Sequence, residues 1–225
     1  MTTWWASSAE PWDTGLRVVR QQVTPYDADD DPVVLQSVRD DHLRVTNDSR
    51  EDRYIQSLIT TSLLMAQRRT QRRLLRETWK LVMSGFPSAH IELPYPPLIA
   101  VTSITYIDSE GDTQTMDADE YEVDAPIGPE AVRGRVRLVD GGVWPTPASV
   151  SNAVMVTFRT GYVTPGVSPE TVDVPADITH ARLLVIKDLY EHRGISFVGA
   201  GNVVSKAEIT ANDIWDHYRD RTVSG

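Results

Sequence analysis

Between Arg76 and Trp79 the spacing of apolar residues changes, from one in every three or four positions to one in every two. Upstream, Ile55, Leu58, Ile59, Ser62, Met65 and Ala66 recur at the helical interval. Downstream, Trp79, Leu81 and Met83 alternate with Lys80 and Val82 until Gly85-Phe86-Pro87 breaks the run. A helix buries one stripe and a half-buried strand one face, so the β block must either pack on the helices or reach away from them. The fold class this predicts is α+β: a small helical bundle with an inserted antiparallel β block and extended N- and C-terminal arms. Two helices come before the block and one after it.

Local signals place these elements. Asp31-Pro32 reads as an N-cap followed by proline at the first helical position, opening a helix over about 32–42. Asp48-Ser49-Arg50-Glu51 has capping-box spacing and opens a longer helix over about 48–75. The β block follows over about 78–162. Its short runs are His90–Leu93, Val101–Ile107, Thr113–Met116, Tyr121–Val123, Val132–Leu138 and Val154–Phe158, separated by turn residues such as Asp108-Ser109-Glu110-Gly111-Asp112. Pro165, Pro169 and Pro175 mark a linker, and a third helix is expected over about 176–193, stopped by Gly194. This divides the chain into an arm (1–31), a central domain (32–194) and a tail (195–225). In the tail, Thr210 is placed to cap a turn or two carrying Ile214, Trp215 and Tyr218.

The arm combines Trp4, Trp5 and Trp12 with the acidic run Asp27-Ala28-Asp29-Asp30-Asp31. Val18, Val19 and Val23 suit a short strand. Three tryptophans are costly to leave in water, so the arm either folds back on its own domain or meets a partner surface.

Charge is unevenly spread. The formal net charge is −10, yet residues 1–83 hold 12 acids and 12 bases and residues 178–225 hold 6 of each. Residues 84–177, with 14 acids and 4 bases, carry the whole excess. Such a balance argues against general duplex-DNA binding, which needs a positive phosphate-facing surface. No apolar run reaches the roughly 18–20 residues that span a bilayer, and residues 1–15 show no secretory signal. Neither a membrane nor an export route is expected.

Catalytic signals are lacking. There is no cysteine, which removes disulfides, thiolate metal sites and cysteine nucleophiles together. The five histidines (His42, His90, His180, His192, His217) have no ligand-like spacing, so no metal is expected. No phosphate-cradling glycine loop or nucleophile elbow occurs, and the acids of 108–124 read as a solvated hairpin face. Neither enzyme activity nor a cofactor is expected.

The sharpest local feature is a run of arginines, Arg68, Arg69, Arg72, Arg73 and Arg76, at the expected end of the long helix. If helical, they fall on adjoining stripes and repel one another unless they meet negative charge. Three counter-charges compete: phosphate, an acidic surface of another subunit, or the acidic segment 27–31 of the same chain. Excess acid elsewhere in the protein favours a protein partner, and a neighbouring copy would supply it through a heterologous, ring-forming contact.

An ordered series of residues resembles the head–tail connector proteins (adaptor, or head-completion) of long-tailed bacteriophages and gene-transfer agents. It runs from Pro32-Val33 and His42-Leu43-Arg44-Val45 through Glu51–Ile59, Arg73-Leu74-Leu75, Thr78-Trp79 and Gly85-Phe86-Pro87. It continues through Ile91-Glu92-Leu93-Pro94, Pro96-Pro97-Leu98, Val101–Tyr106, Trp144-Pro145, Gly161-Tyr162 and Val174-Pro175-Ala176 to Leu189–Arg193. The resemblance implies a structural virion protein of the neck, assembled in the host cytoplasm. It implies a homo-oligomeric ring, usually of twelve copies, docked under the portal protein. Such a ring joins capsid to the next neck or tail component (stopper or tail terminator) and encloses a channel for passing genomic DNA. It implies a portal-binding C-terminal anchor, here Ile214, Trp215, Tyr218 and Arg219. The alternative reading is a nucleic-acid-binding or packaging accessory protein that uses Arg68–Arg76.

Overall fold

The structure is a computed structural model and describes residues 5–6, 18–45, 49–164, 166–192 and 206–221. Its strands are β1 (Trp5–Ala6), β2 (Val18–Thr24), β3 (Glu77–Met83), β4 (Ile91–Leu93), β5 (Leu98–Ile107), β6 (Thr113–Thr115), β7 (Tyr121–Asp124), β8 (Gly134–Leu138) and β9 (Val154–Thr160). Helix α1 (Leu35–Ser37) continues as a π turn through Val38–His42, and α2 (Asp52–Thr70) follows a 3-10 turn at Ser49–Glu51. Helices α3 (Ala176–Glu191) and α4 (Lys206–His217) come after the strands. Helices and two antiparallel sheets together make the α+β fold that the change of period requires.

One sheet has the order β1-β2-β3-β9-β5-β6 and the other β4-β8-β7, every pairing antiparallel. In β3, Trp79, Leu81 and Met83 lie opposite Phe158, Val156 and Val154 of β9, all six buried. Ile91, Leu93 and Val136 of the smaller sheet join them, so the two sheets close on one apolar core. Burial of that face stabilises each large side chain by about 1.5–3 kcal/mol. Gly134 lets the sheets come this close, since a Cβ there would lie 2.2 Å from Leu98 Cδ2.

The helical layer has two cores of its own. Val33, Val38, Ile55, Leu58, Ile59 and Ile186 pack α1, α2 and α3 together. Leu63, Ala66, Leu74, Leu75, Ile178, Ala181, Val185, Ala211 and Trp215 join α2 and α3 to α4. Gly161 links the layers: its φ of +131° turns the chain out of β9, and a Cβ would sit 2.4 Å from the Leu75 carbonyl oxygen. Tyr162 then enters the helical core, donating to the Pro129 carbonyl at 2.6 Å.

Several local expectations are corrected. The long helix ends at Thr70, five residues early, where Gln71 takes a left-handed conformation (φ 58°). The first helix starts at Leu35, because Asp31 instead accepts from the Val33 amide at 2.9 Å and forms an ion pair. Val18, Val19 and Val23 do fall in a strand, β2, which pairs with β3 along the sheet. Thr210 lies inside α4, its hydroxyl donating to the Lys206 carbonyl, where only a turn or two beyond it was expected. Asp48, Gly194, Trp4 and Trp12 lie outside the described residues.

Candidate functional site

Because α2 stops at Thr70, the five arginines do not line one helix. Arg72, only 4% exposed, bridges two distant backbones, donating to the Tyr218 carbonyl and, at 2.6 Å, to the Ala131 carbonyl. Arg73 lies over the rings of Tyr95 (4.0 Å) and Trp79 (4.7 Å) and pairs with Glu77 at 3.2 Å. Arg76 grips Asp30 through Nε (2.8 Å) and Nη2 (2.5 Å). Arg69 pairs with Asp216 of α4. Of the three counter-charges left open by sequence, the acidic segment of the same chain thus serves Arg76. Arg68 differs: it is exposed, and its side chain has no hydrogen bond or ion pair among the described residues.

The acidic segment is a strap. Asp31 makes a bidentate pair with Arg182 of α3 (2.7 and 2.6 Å), whose guanidinium is fully buried and also reaches the Ser62 hydroxyl. Removing one member of such a pair leaves the other as an unpaired buried charge, which costs about 3–5 kcal/mol. Nothing in the local sequence signals Arg182, which sits on the apolar stripe of α3. Asp31 itself was legible as a cap and as the end of the acidic run 27–31.

The expected C-terminal anchor is also folded inward. Trp215 is 1% exposed within the helical core, and Ile214 packs beside it. Tyr218 is buried and donates to Asp177 at 2.8–2.9 Å. Burial, with that carboxylate beside it, pushes its hydroxyl up to about 12; burial does the same to Tyr162, against the lowering influence of Arg72. Arg219 alone of the four is exposed. Just beyond, Asp220 pairs with Arg133 at 2.6 Å, both buried, and its amide donates to the Thr70 carbonyl. Residues 218–220 are therefore the rivet between the helical layer and the loop before β8.

Glu77 is the residue that sequence reasoning missed. It accepts from Trp79 Nε1 (2.8 Å), Gln22 Nε2 (3.0 Å) and Gln67 Nε2 (3.2 Å) and pairs with Arg73. Around it opens a cleft of about 540 Å³, walled by Tyr26, Trp79 and Tyr95, with Leu64 and Arg68 of α2 on its lip. Its partners Gln22 and Gln67 lie 55 and 10 residues away on other elements, which hides the cluster from a local reading.

Apart from Glu92, which is buried, the β block keeps its acids at or near the surface. Asp108, Glu110 and Asp112 bring carboxylate oxygens within 4.8 Å of one another at the β5–β6 turn. Asp108 accepts there from Gln114 Nε2 and the amides of Glu110 and Asp112, bonds that hold its carboxyl below the ordinary range. Those bonds make it the organiser of the turn. Arg133, Arg135 and Arg137 alternate with apolar residues along 132–138; Arg133 is buried against Asp220, while Arg137 is exposed and pairs with Glu122 at 2.8 Å.

No protein-family model matches the sequence, and comparison with curated proteins finds no match. Solved structures do match. A chain in the virion of a native gene transfer agent particle superposes with a TM-score of 0.66 at 19% identity, over 92% of this chain and 97% of that one. A chain in the neck of the empty particle, computed with C6 symmetry, gives 0.67 at 20% identity over 92% and 97%. A chain in the neck of the native particle, computed with C12 symmetry, gives 0.59 at 16% identity over 90% and 98%. The resemblance to connector proteins is thus borne out in the fold, which this chain shares along nearly its whole length with a protein of the gene transfer agent neck.

Proposed function

We propose that this protein is a structural component of a virion neck: a ring-forming adaptor, of twelve copies, that docks under the portal, joins capsid to tail and encloses a DNA channel. The observation that carries this reading is the near end-to-end fold match with chains of gene transfer agent necks, one of them in a twelvefold-symmetric neck. A structural role suits a molecule whose buried pairs Arg182–Asp31 and Arg133–Asp220 tie distant parts of its own chain together. The nucleic-acid reading draws little from the arginine cluster, because four of its five members are engaged within the chain.

With Trp215 and Tyr218 in the core, portal contact falls to the outward face of α4. Exposed Ile209, Asp213 and His217 share one stripe there, and Arg219 lies just past its end. The test is negative-stain imaging of the purified protein, alone and mixed with portal protein. Twelvefold rings, or rings seated on the portal, are expected. A strict monomer that never binds portal overturns the reading.

A further inference from the structure

We propose that the cleft at the end of α2 receives the acidic edge strand β7 of a neighbouring copy, and that this pair of surfaces closes the ring. The inference deepens the adaptor reading and rests on it.

The receiving side is defined by what the chain leaves unused. Arg68 is the one member of the arginine cluster with no partner among the described residues, and it stands on the lip of the cleft. One helical turn before it, Leu64 is 46% exposed on the same lip. A cation beside an exposed leucine, above walls of Tyr26, Trp79 and Tyr95, suits an acidic segment that also carries an aliphatic side chain.

The complementary segment lies elsewhere on the same molecule. β7 is an outer strand of the three-stranded sheet, so among the described residues one of its edges has no strand beside it. Residues 117–124 hold five acids and no base. Glu122 is matched by Arg137 and Asp124 faces Arg135 in register, yet Glu122, Val123 and Asp124 are all exposed. Val123 is 39% exposed and Ile127, just beyond the strand, 74%. Each surface thus pairs exposed aliphatic side chains with charge, and the charges are opposite. The two surfaces are different patches of one chain, so their contact is heterologous and propagates from copy to copy until it closes.

The absence of cysteine makes the test clean. The full chain carrying both Leu64→Cys and Ile127→Cys is assembled, mildly oxidised and run on a denaturing gel. A disulfide forms only where the Cα atoms come within about 7 Å, so a ladder of covalent oligomers is expected from the double variant and no ladder from either single variant. In parallel, Arg68→Glu and Asp124→Arg should each raise the concentration needed for assembly about fivefold, and the two together should restore it. A ladder, or rescue by the charge exchange, supports the contact. Wild-type rings with no ladder, and with assembly indifferent to both reversals, overturn it while leaving the adaptor reading intact. Failure of the wild-type chain to assemble even with portal protein removes the adaptor reading, and this contact with it.

Discussion

The helical layer and its seam with the sheets bury ion pairs, whereas the core between the sheets is hydrocarbon and most acids of the strands lie outside, Glu77 and Glu92 excepted. Arg182 with Asp31 and Arg133 with Asp220 are almost wholly withdrawn from water, and Arg72 is spent on two carbonyls beside them. In the sheets, the interior faces of β3 and β9 are Trp, Leu, Met, Phe and Val, while Glu122 and Arg137 meet in solvent. The difference follows from how each layer is held. Strands are registered by backbone ladders and alternation, so their side chains need only be apolar and of the right size. Short helices and irregular straps have no such ladder between them, and a directional, bidentate pair fixes where a strap lies on a helix.

The comparison is most severely tested at Arg182. Arg182→Ala should cost about 3–5 kcal/mol in denaturant unfolding, while Asp31→Leu with Arg182→Met should come out near neutral, because the buried charge is then gone from both sides. If the single substitution is mild, the helical layer does not depend on its ion pairs. At the junction, Gly161→Ala forces a left-handed backbone on alanine and a Cβ into the Leu75 carbonyl, and should cost about 1–3 kcal/mol by the same measurement. Next comes alkali. Tyr162 and Tyr218 are both raised from 10 to about 12, so their contribution is complete below pH 10 and is lost as pH climbs towards 12. Tyr162, the more buried, accounts for at most about 3 kcal/mol of this. Stability that stays flat from pH 10 to 12 would show that neither hydroxyl is held neutral by the fold. Smallest is Arg137→Ala on the outer face of β8, expected to change stability by less than about 1 kcal/mol and to be silent in high salt.

The same contrast explains what could be read from the sequence. Alternation at Trp79, Leu81 and Met83, at Val132–Leu138 and at Val154–Phe158 located three strands to within two residues or so, because period two is a local signal. The end of α2 was not legible. Arg72, Arg73 and Arg76 keep helical spacing on paper, but Leu74 and Leu75 are drawn into the core and Gln71 turns the chain at Thr70. The fates of the arginines depend on partners 46, 59 and 146 residues away, at Asp30, Ala131 and Tyr218. Likewise Trp215 and Tyr218 had the composition of an interface anchor, and the interface they occupy is with α2 and α3 of their own chain. Composition gives the chemistry of a contact, and only the tertiary fold says whose surface answers it.

The rivet at residues 218–220 also has a consequence in time. During synthesis, the Arg72 and Arg133 side chains emerge long before Tyr218 and Asp220 exist to meet them, so this fastening of helices to sheets waits until residues 218–220 are made. Sheet and helices are free to take shape early, joined through Gly161 and Tyr162, and this part of their junction forms late. A polypeptide halted short of residue 220 would hold two guanidinium groups at that seam with their intended partners missing.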